Sequence, residues 1–265
     1  MNIPSFWVMV RAGAGREWLS HRLNRFLYAH LLLCGAAGLL PLLTPGDALA
    51  RGAAWWLLHA VLYAISLSAL LLGLSSAHAE TEEFTWLLGQ PGGIGPWLAG
   101  KAAALAMLVA LSSALLVIPT IVAGAGSAEL ALAGVGAAGI GVTCALAGLA
   151  LGFWVRDSVR GLITALAIWF LILFGTDFVL LGIAGDPGVQ AHPDLWVAPL
   201  MLNPLDAYRI TVLFVVERAA FTGFATGNLT AWWVGHAAFW LTLLLAAWIA
   251  ASSTLAWLGA RRRLD

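Results

Sequence analysis

Residues 79–103, AETEEFTWLLGQPGGIGPWLAGKAA, hold Glu80, Glu82 and Glu83, a Gly/Pro-rich turn, and Gly95-x-x-x-x-Gly100-Lys101. The last spacing is that of a phosphate-cradling loop. Such a loop needs Ser or Thr after the lysine to hold Mg²⁺ and a buried strand before its glycines. Ala102 follows Lys101, and WLLGQPGGIGP reads as a turn, so nucleotide chemistry is not expected here. Lys101 is instead expected at the end of an apolar helix, its ammonium reaching polar headgroups.

Other groupings fail on similar grounds. Intramembrane prenyl-protein proteases use a Glu-Glu pair followed by Arg, and Glu82-Glu83 has no such Arg. Gly73-Leu74-Ser75-Ser76 lacks the glycine that follows a rhomboid-type serine, and His236 would be its only evident base. The six histidines and four methionines include no pair at ligand spacing on one helix face, and there is no CxxC, so no metal site is expected. His59 and His236 fall in apolar segments and are expected to face inward. Asp177, in FGTDF, is the sole carboxylate well inside such a segment, with Thr176 beside it as a partner. LNPLDAYRI contains Asn203 and Pro204, which suit an N-cap and a first helical position, with Asp206 in the first turn and Arg209 one turn later on the same face. Asp206 and Arg209 are therefore expected to form an exposed pair on an outer helix.

The elements that must position these residues follow from composition. The chain has 265 residues, 62% hydrophobic and 10% charged, with a mean hydropathy of +0.92. It cannot cover a globule with polar surface and must use a lipid bilayer as part of its solvent. A net charge of zero argues against nucleic acid. Cys34 and Cys144 lie in apolar runs and read as core residues, not a disulfide.

Crossing hydrocarbon takes roughly 20 apolar residues in a helix. Six segments reach that length, at about 26–44, 53–75, 102–123, 130–152, 161–184 and 232–258. The predicted fold is an all-α integral membrane protein, a single transmembrane domain over 1–265. Residues 1–25 form a helix lying along the membrane surface, 26–75 the first two spans, 76–101 a long connection, 102–184 the next three spans, 185–231 a region of short outer helices, and 259–265 a tail. With both termini cytoplasmic, ten of the 13 Lys and Arg are inside and only Arg51, Arg209 and Arg218 outside, which sets the orientation. Trp55, Trp56, Trp232 and Trp233 then fall at outer boundaries as interfacial anchors. Gly148-x-x-x-Gly152 offers a small-residue face for close helix packing, within one chain or between two.

Three landmarks taken in order give the chain its family likeness: GREWLSHRLNRFL with Glu17, ETEEFTWLLGQPGGIGPWLAGK, and LNPLDAYRI. Together they resemble the permease subunits of type-2 ABC transporters, and the third is similar to the branch that includes the permease of the nitrous-oxide-reductase maturation (copper-processing) system. The resemblance implies that Glu80, Glu82, Glu83, Phe84, Trp86, Leu87, Gln90 and Pro91 form a coupling helix docked on a separate ABC ATPase. The family's basic residue after that proline is replaced here by Gly92-Gly93-Ile94-Gly95. It further implies a homodimer in the bacterial inner membrane, no enzymatic activity and no cofactor of its own, with ATP and Mg²⁺ bound by the partner. Asn203, Pro204, Asp206 and Arg209 would gate an outer vestibule or receive a periplasmic accessory protein. The process would be export or a periplasmic maturation step involving copper or sulfur. Lipid or peptide export, or a non-transport enzyme or scaffold, is the alternative.

Overall fold

The computed structural model describes residues 5–43, 47–79, 93–123, 128–183, 185–213 and 228–263. Helix α1 (Phe6–Ser20) leads through a 3₁₀ turn (His21–Leu23) into α2 (Arg25–Leu43). Then come α3 (Asp47–His59), a π-helical segment (Ala60–Ile65) and α4 (Ser66–Ala79), followed by α5 (Ile94–Ala123), α6 (Ala128–Trp154) and α7 (Ser158–Ile183). Three short helices, α8 (Pro187–Ala191), α9 (Pro193–Leu202) and α10 (Pro204–Thr211), precede α11 (Asn228–Gly235) and α12 (Ala237–Arg262). No strand occurs among the described residues. Among the described residues, six helical stretches are long and apolar enough to cross a membrane: Arg25–Leu43, Gly52–Ala79, Ile94–Val122, Leu130–Trp154, Ser158–Ile183 and Ala237–Arg262.

Two boundaries depart from the sequence expectation. The third spanning helix starts at Ile94, not near 102. Pro96 is tolerated in its first turn, where its missing N–H is not needed, and Lys101 does not end it. The last begins at Ala237 because the chain breaks at His236 (φ −124°), leaving Trp232 and Trp233 on the separate helix α11. Trp55 and Trp232 are exposed, as an anchoring role requires, but Trp233 is buried and Trp56 donates its indole N–H to the Ala37 carbonyl.

The stretch Gly52–Ala79 is the centre of the bundle, whereas α7 lies at its edge with few of its residues buried. The small-residue face acts inside one chain. A Cβ on Gly148 would overlap the Leu70 carbonyl oxygen, and one on Gly73 would overlap that of Ala145. Helices α4 and α6 therefore cross with their backbones in contact, an approach only glycine permits. Two of the apolar clusters that fill the bundle lie toward its two ends. One, near α1, gathers Leu72, Trp97, Leu105, Leu149 and Phe153; the other, toward α10, gathers Leu57, Ile65, Leu173, Tyr208 and Leu241. A polar site sits at each end of this core.

Candidate functional site

At the α1 end, Gly100 lets the chain come close. A Cβ there would run into the Val10 carbonyl oxygen, so α1 lies directly on the start of α5. The next residue, Lys101, is 1% exposed and donates to Glu17 Oε2 at 2.7 Å. Glu17, 2% exposed, also faces His21 Nε2 at 2.9 Å and accepts from Ser76 Oγ at 2.5 Å. Burial alone would push the Glu17 carboxyl up. His21, then the Lys101 charge and hydrogen bond, and the Ser76 hydroxyl outweigh it and hold the group down at about 2. Two expectations are corrected here. Lys101 does not reach headgroups, because the matching carboxylate meets it inside the protein. The near-phosphate-loop glycines Gly95 and Gly100 are helical, and Gly100 serves helix packing. Ser75, of the rhomboid-like segment, accepts from Asn24 Nδ2 at 2.9 Å and donates to the Leu72 carbonyl, a structural pairing.

At the other end, α10 is pinned against α7. Asn203 caps the helix, its Oδ1 accepting from Leu205 N at 3.0 Å, with Pro204 in the first turn as the sequence suggested. The same side chain donates from Nδ2 to the Ile172 carbonyl at 2.6 Å and to Asp206 Oδ2 at 2.7 Å. Arg209 Nη1 donates to both oxygens of Asp177, at 2.9 and 3.1 Å, and Nη2 approaches the Leu173 carbonyl at 3.4 Å. Asp206 Oδ1 stands 3.4 Å from the same guanidinium and takes no hydrogen bond. The expected pairing of Asp206 with Arg209 is present, but the nearer partner is Asp177. The pair is also not exposed, since the Asp206 side chain is 1% exposed against 22% for Arg209 and 43% for Asp177. Burial pushes Asp206 up to about 6; Arg209 opposes that rise, the Asp177 charge adds to it, and Thr176 and Asn203 oppose it. Beside Thr176 opens a cleft of about 340 Å³ lined by Leu171, Thr176, Val179, Leu180, Ile183 and Pro199. Tyr208, wholly buried, donates to the Ala133 carbonyl and anchors α10 from behind.

The structure thus joins Asp177 to Asn203, Pro204, Asp206 and Arg209, which sequence reasoning treated apart. A lone carboxylate in a span and an arginine beyond it both need partners, and that signal could have joined them. His59 and His236 do not join any site. Both are exposed rather than inward, because each ring donates from Nδ1 to a carbonyl four residues earlier (Trp55 and Trp232) and stacks on that indole. Among the described residues no three His, Cys, Asp or Glu converge as a metal site would require. Glu80, Glu82, Glu83, Phe84, Trp86, Leu87, Gln90 and Pro91 lie outside the described residues.

No family model matches the chain. Over 112 residues it is 38% identical to the "Probable ABC transporter permease protein NosY" of Stutzerimonas stutzeri. That match covers 41% of this chain and 38% of the relative's length, so the chain spans well under half of the relative it matches. The six apolar helices and this partial likeness together mark the chain as similar to the membrane permeases of ABC transporters.

Proposed function

We propose that this chain is the membrane-spanning permease subunit of an ABC transporter, working as a homodimer with separate ATPase subunits. The observation that carries the reading is the Glu17–Lys101–Ser76 junction. Ser76 is four residues before the segment 80–91 and Lys101 ten residues after it, so both flanks of that segment are bonded to one carboxylate on α1. A push delivered to 80–91 reaches α1, α4 and α5 as one body. In this reading ATP-driven closure of the ATPases supplies the push, and the α7–α10 contact at the opposite end receives it. Both termini are cytoplasmic, as the Lys/Arg distribution supports, and the membrane is the bacterial inner membrane, as the partial likeness to a bacterial permease supports. The output is export, or force passed to a periplasmic accessory protein during maturation of a copper- or sulfur-containing enzyme such as nitrous oxide reductase. The branch likeness of LNPLDAYRI and the partial similarity to NosY support that choice.

The test is co-purification with an ABC ATPase co-expressed from the same genome and measurement of ATP hydrolysis. Replacing Glu82 and Glu83 by Lys reverses charge at the proposed contact, and permease-stimulated hydrolysis should fall at least about tenfold with the spans still folded. Undiminished stimulation overturns the coupling assignment. Reporter fusions at Arg263 and Pro187 should read inside and outside respectively, and the reverse result overturns the orientation.

A further inference from the structure

A basic pocket lies where α6 and α12 end together, apart from both polar sites. Its volume is about 280 Å³, and Phe153, Trp154, Arg156, Gly259, Arg262 and Arg263 line it. Each arginine near it is positioned by a specific contact or by the chain end it sits on. Arg263 donates to the carbonyls of Gly152 and Phe153, in the last turn of α6, and so caps that helix. The Arg262 guanidinium lies 4.7 Å over the Trp154 ring and that of Arg261 lies 5.1 Å over Trp257. Trp154 is itself fixed by its indole N–H to the Leu255 carbonyl at 2.9 Å. Gly259 keeps the pocket open against this ring, since a Cβ there would come within 2.7 Å of Trp154 Cδ1.

Among the described residues no carboxylate forms an ion pair with Arg156, Arg262 or Arg263. Asp157, beside Arg156 in sequence, turns its Oδ1 to the backbone N–H of Arg160 at the start of α7. Burial and then the Arg156 charge hold Arg263 below its ordinary range, so the cluster stands under like-charge repulsion. Indole rings and guanidinium groups at the ends of two apolar helices occupy the level at which a bilayer presents its headgroup phosphates.

We infer that this pocket binds a negatively charged phosphate group, the headgroup of an anionic phospholipid, between Arg156 and Arg262 with Trp154 as its wall. Arg263, committed to the α6 carbonyls, adds charge without moving. The site would tie the end of α6 to that of α12.

The full chain, purified in detergent and stripped of lipid, is titrated with phosphatidylglycerol, phosphatidylcholine or inorganic phosphate, and occupancy is read by native mass spectrometry. Phosphatidylglycerol should bind wild type at least about tenfold more tightly than it binds R156Q/R262Q. R156K/R262K should keep much of the affinity, because a lysine still supplies the charge but not the forked donors. Matching elution on size exclusion shows that the variants fold. Inorganic phosphate that displaces the lipid at millimolar concentration shows that the phosphate alone is recognised, and phosphate that does not compete places recognition on the lipid as a whole. Equal retention of phosphatidylglycerol and phosphatidylcholine, or equal affinity in wild type and R156Q/R262Q, overturns the inference.

Discussion

The two ends of the bundle solve the same problem, a buried carboxylate, in opposite ways. At the α1 end one carboxylate is matched by a lysine, a histidine and a hydroxyl drawn from α1's own flank, α4 and α5. Both its oxygens are used, and it stays ionised down to about pH 2. At the α10 end two carboxylates share one guanidinium. The better-placed hydrogen bonds go to the more exposed Asp177, while the buried Asp206 keeps one oxygen without a hydrogen bond and is pushed up to about 6. A carboxylate with matched donors behaves as a rivet. One with a shortage of donors is held near a change of state, which small differences in geometry or pH can tip. In the proposed permease, the first arrangement suits the place where force enters and the second the place where it is released.

The comparison breaks most visibly at Lys101. Replacing it with Met leaves Glu17 buried without its cation, a change that costs about 3–5 kcal/mol when one partner of a buried pair is removed. Thermal unfolding in detergent should show a large fall in Tm for K101M, and α1 should become sensitive to protease. Adding Glu17→Gln to K101M removes the stranded charge and should recover most of the loss. A K101M protein as stable as wild type would mean that the junction is not a rivet.

The spans were legible from the sequence because an apolar run of roughly 20 residues matches the thickness of a bilayer and exceeds what a small soluble core can bury. The Asn203–Pro204 helix start was legible because capping is local chemistry. What the sequence hid was pairing across distance. Lys101 is 84 residues from Glu17 and Arg209 is 32 from Asp177, and nothing in local periodicity links either pair. The same blindness misplaced the start of the third span. Lys101 reads as a helix end only while its charge is unmatched, and once Glu17 neutralises it the helix continues back to Ile94. Histidine burial was misjudged for a related reason, since a ring satisfied by its own helix, as at His59, has no need of the interior.

A pH series sharpens the contrast, because the two ends respond with opposite sign. Folded Asp206 holds its proton up to about pH 6, whereas its ordinary value is 3.8, so between those values the folded state carries a proton that the unfolded state lacks. Its contribution to stability is therefore greatest at the acid side of that window and lost as pH rises through about 6, amounting to about 3 kcal/mol at most. Glu17 is reversed. Its folded value of about 2 lies below the ordinary 4.5, so its contribution is present above 4.5 and lost as pH falls toward 2. The Tm of wild type should rise slightly from pH 7 to 5 and drop below 4.5. In D206N the rise should vanish and the drop remain; in E17Q the drop should shrink and the rise remain. A D206N protein that still gains stability from pH 7 to 5 would show that another group supplies the effect.

The smallest expected change in stability, and the most discriminating for function, comes from Asp177→Asn. Asp177 is 43% exposed and its ion pair with Arg209 is partly solvated, so its loss should cost about 1 kcal/mol or less. Arg209 would then have a single carboxylate to serve. With the competing charge gone, Asp206 should ionise more easily, and the pH-dependent rise in Tm should move to lower pH than in wild type. If the shared guanidinium is part of the output of the permease, D177N should reduce activity in cells far more than it reduces Tm, because it converts the adjustable end into a second rivet. D206N and Arg209→Gln should do the same, with membrane insertion and ATPase binding intact. Normal activity in all three variants would leave α10 as a stabilised short helix and remove it from the mechanism. An unchanged Asp206 transition in D177N would show that the two carboxylates do not compete, and the distinction drawn between the two ends would then rest on burial alone.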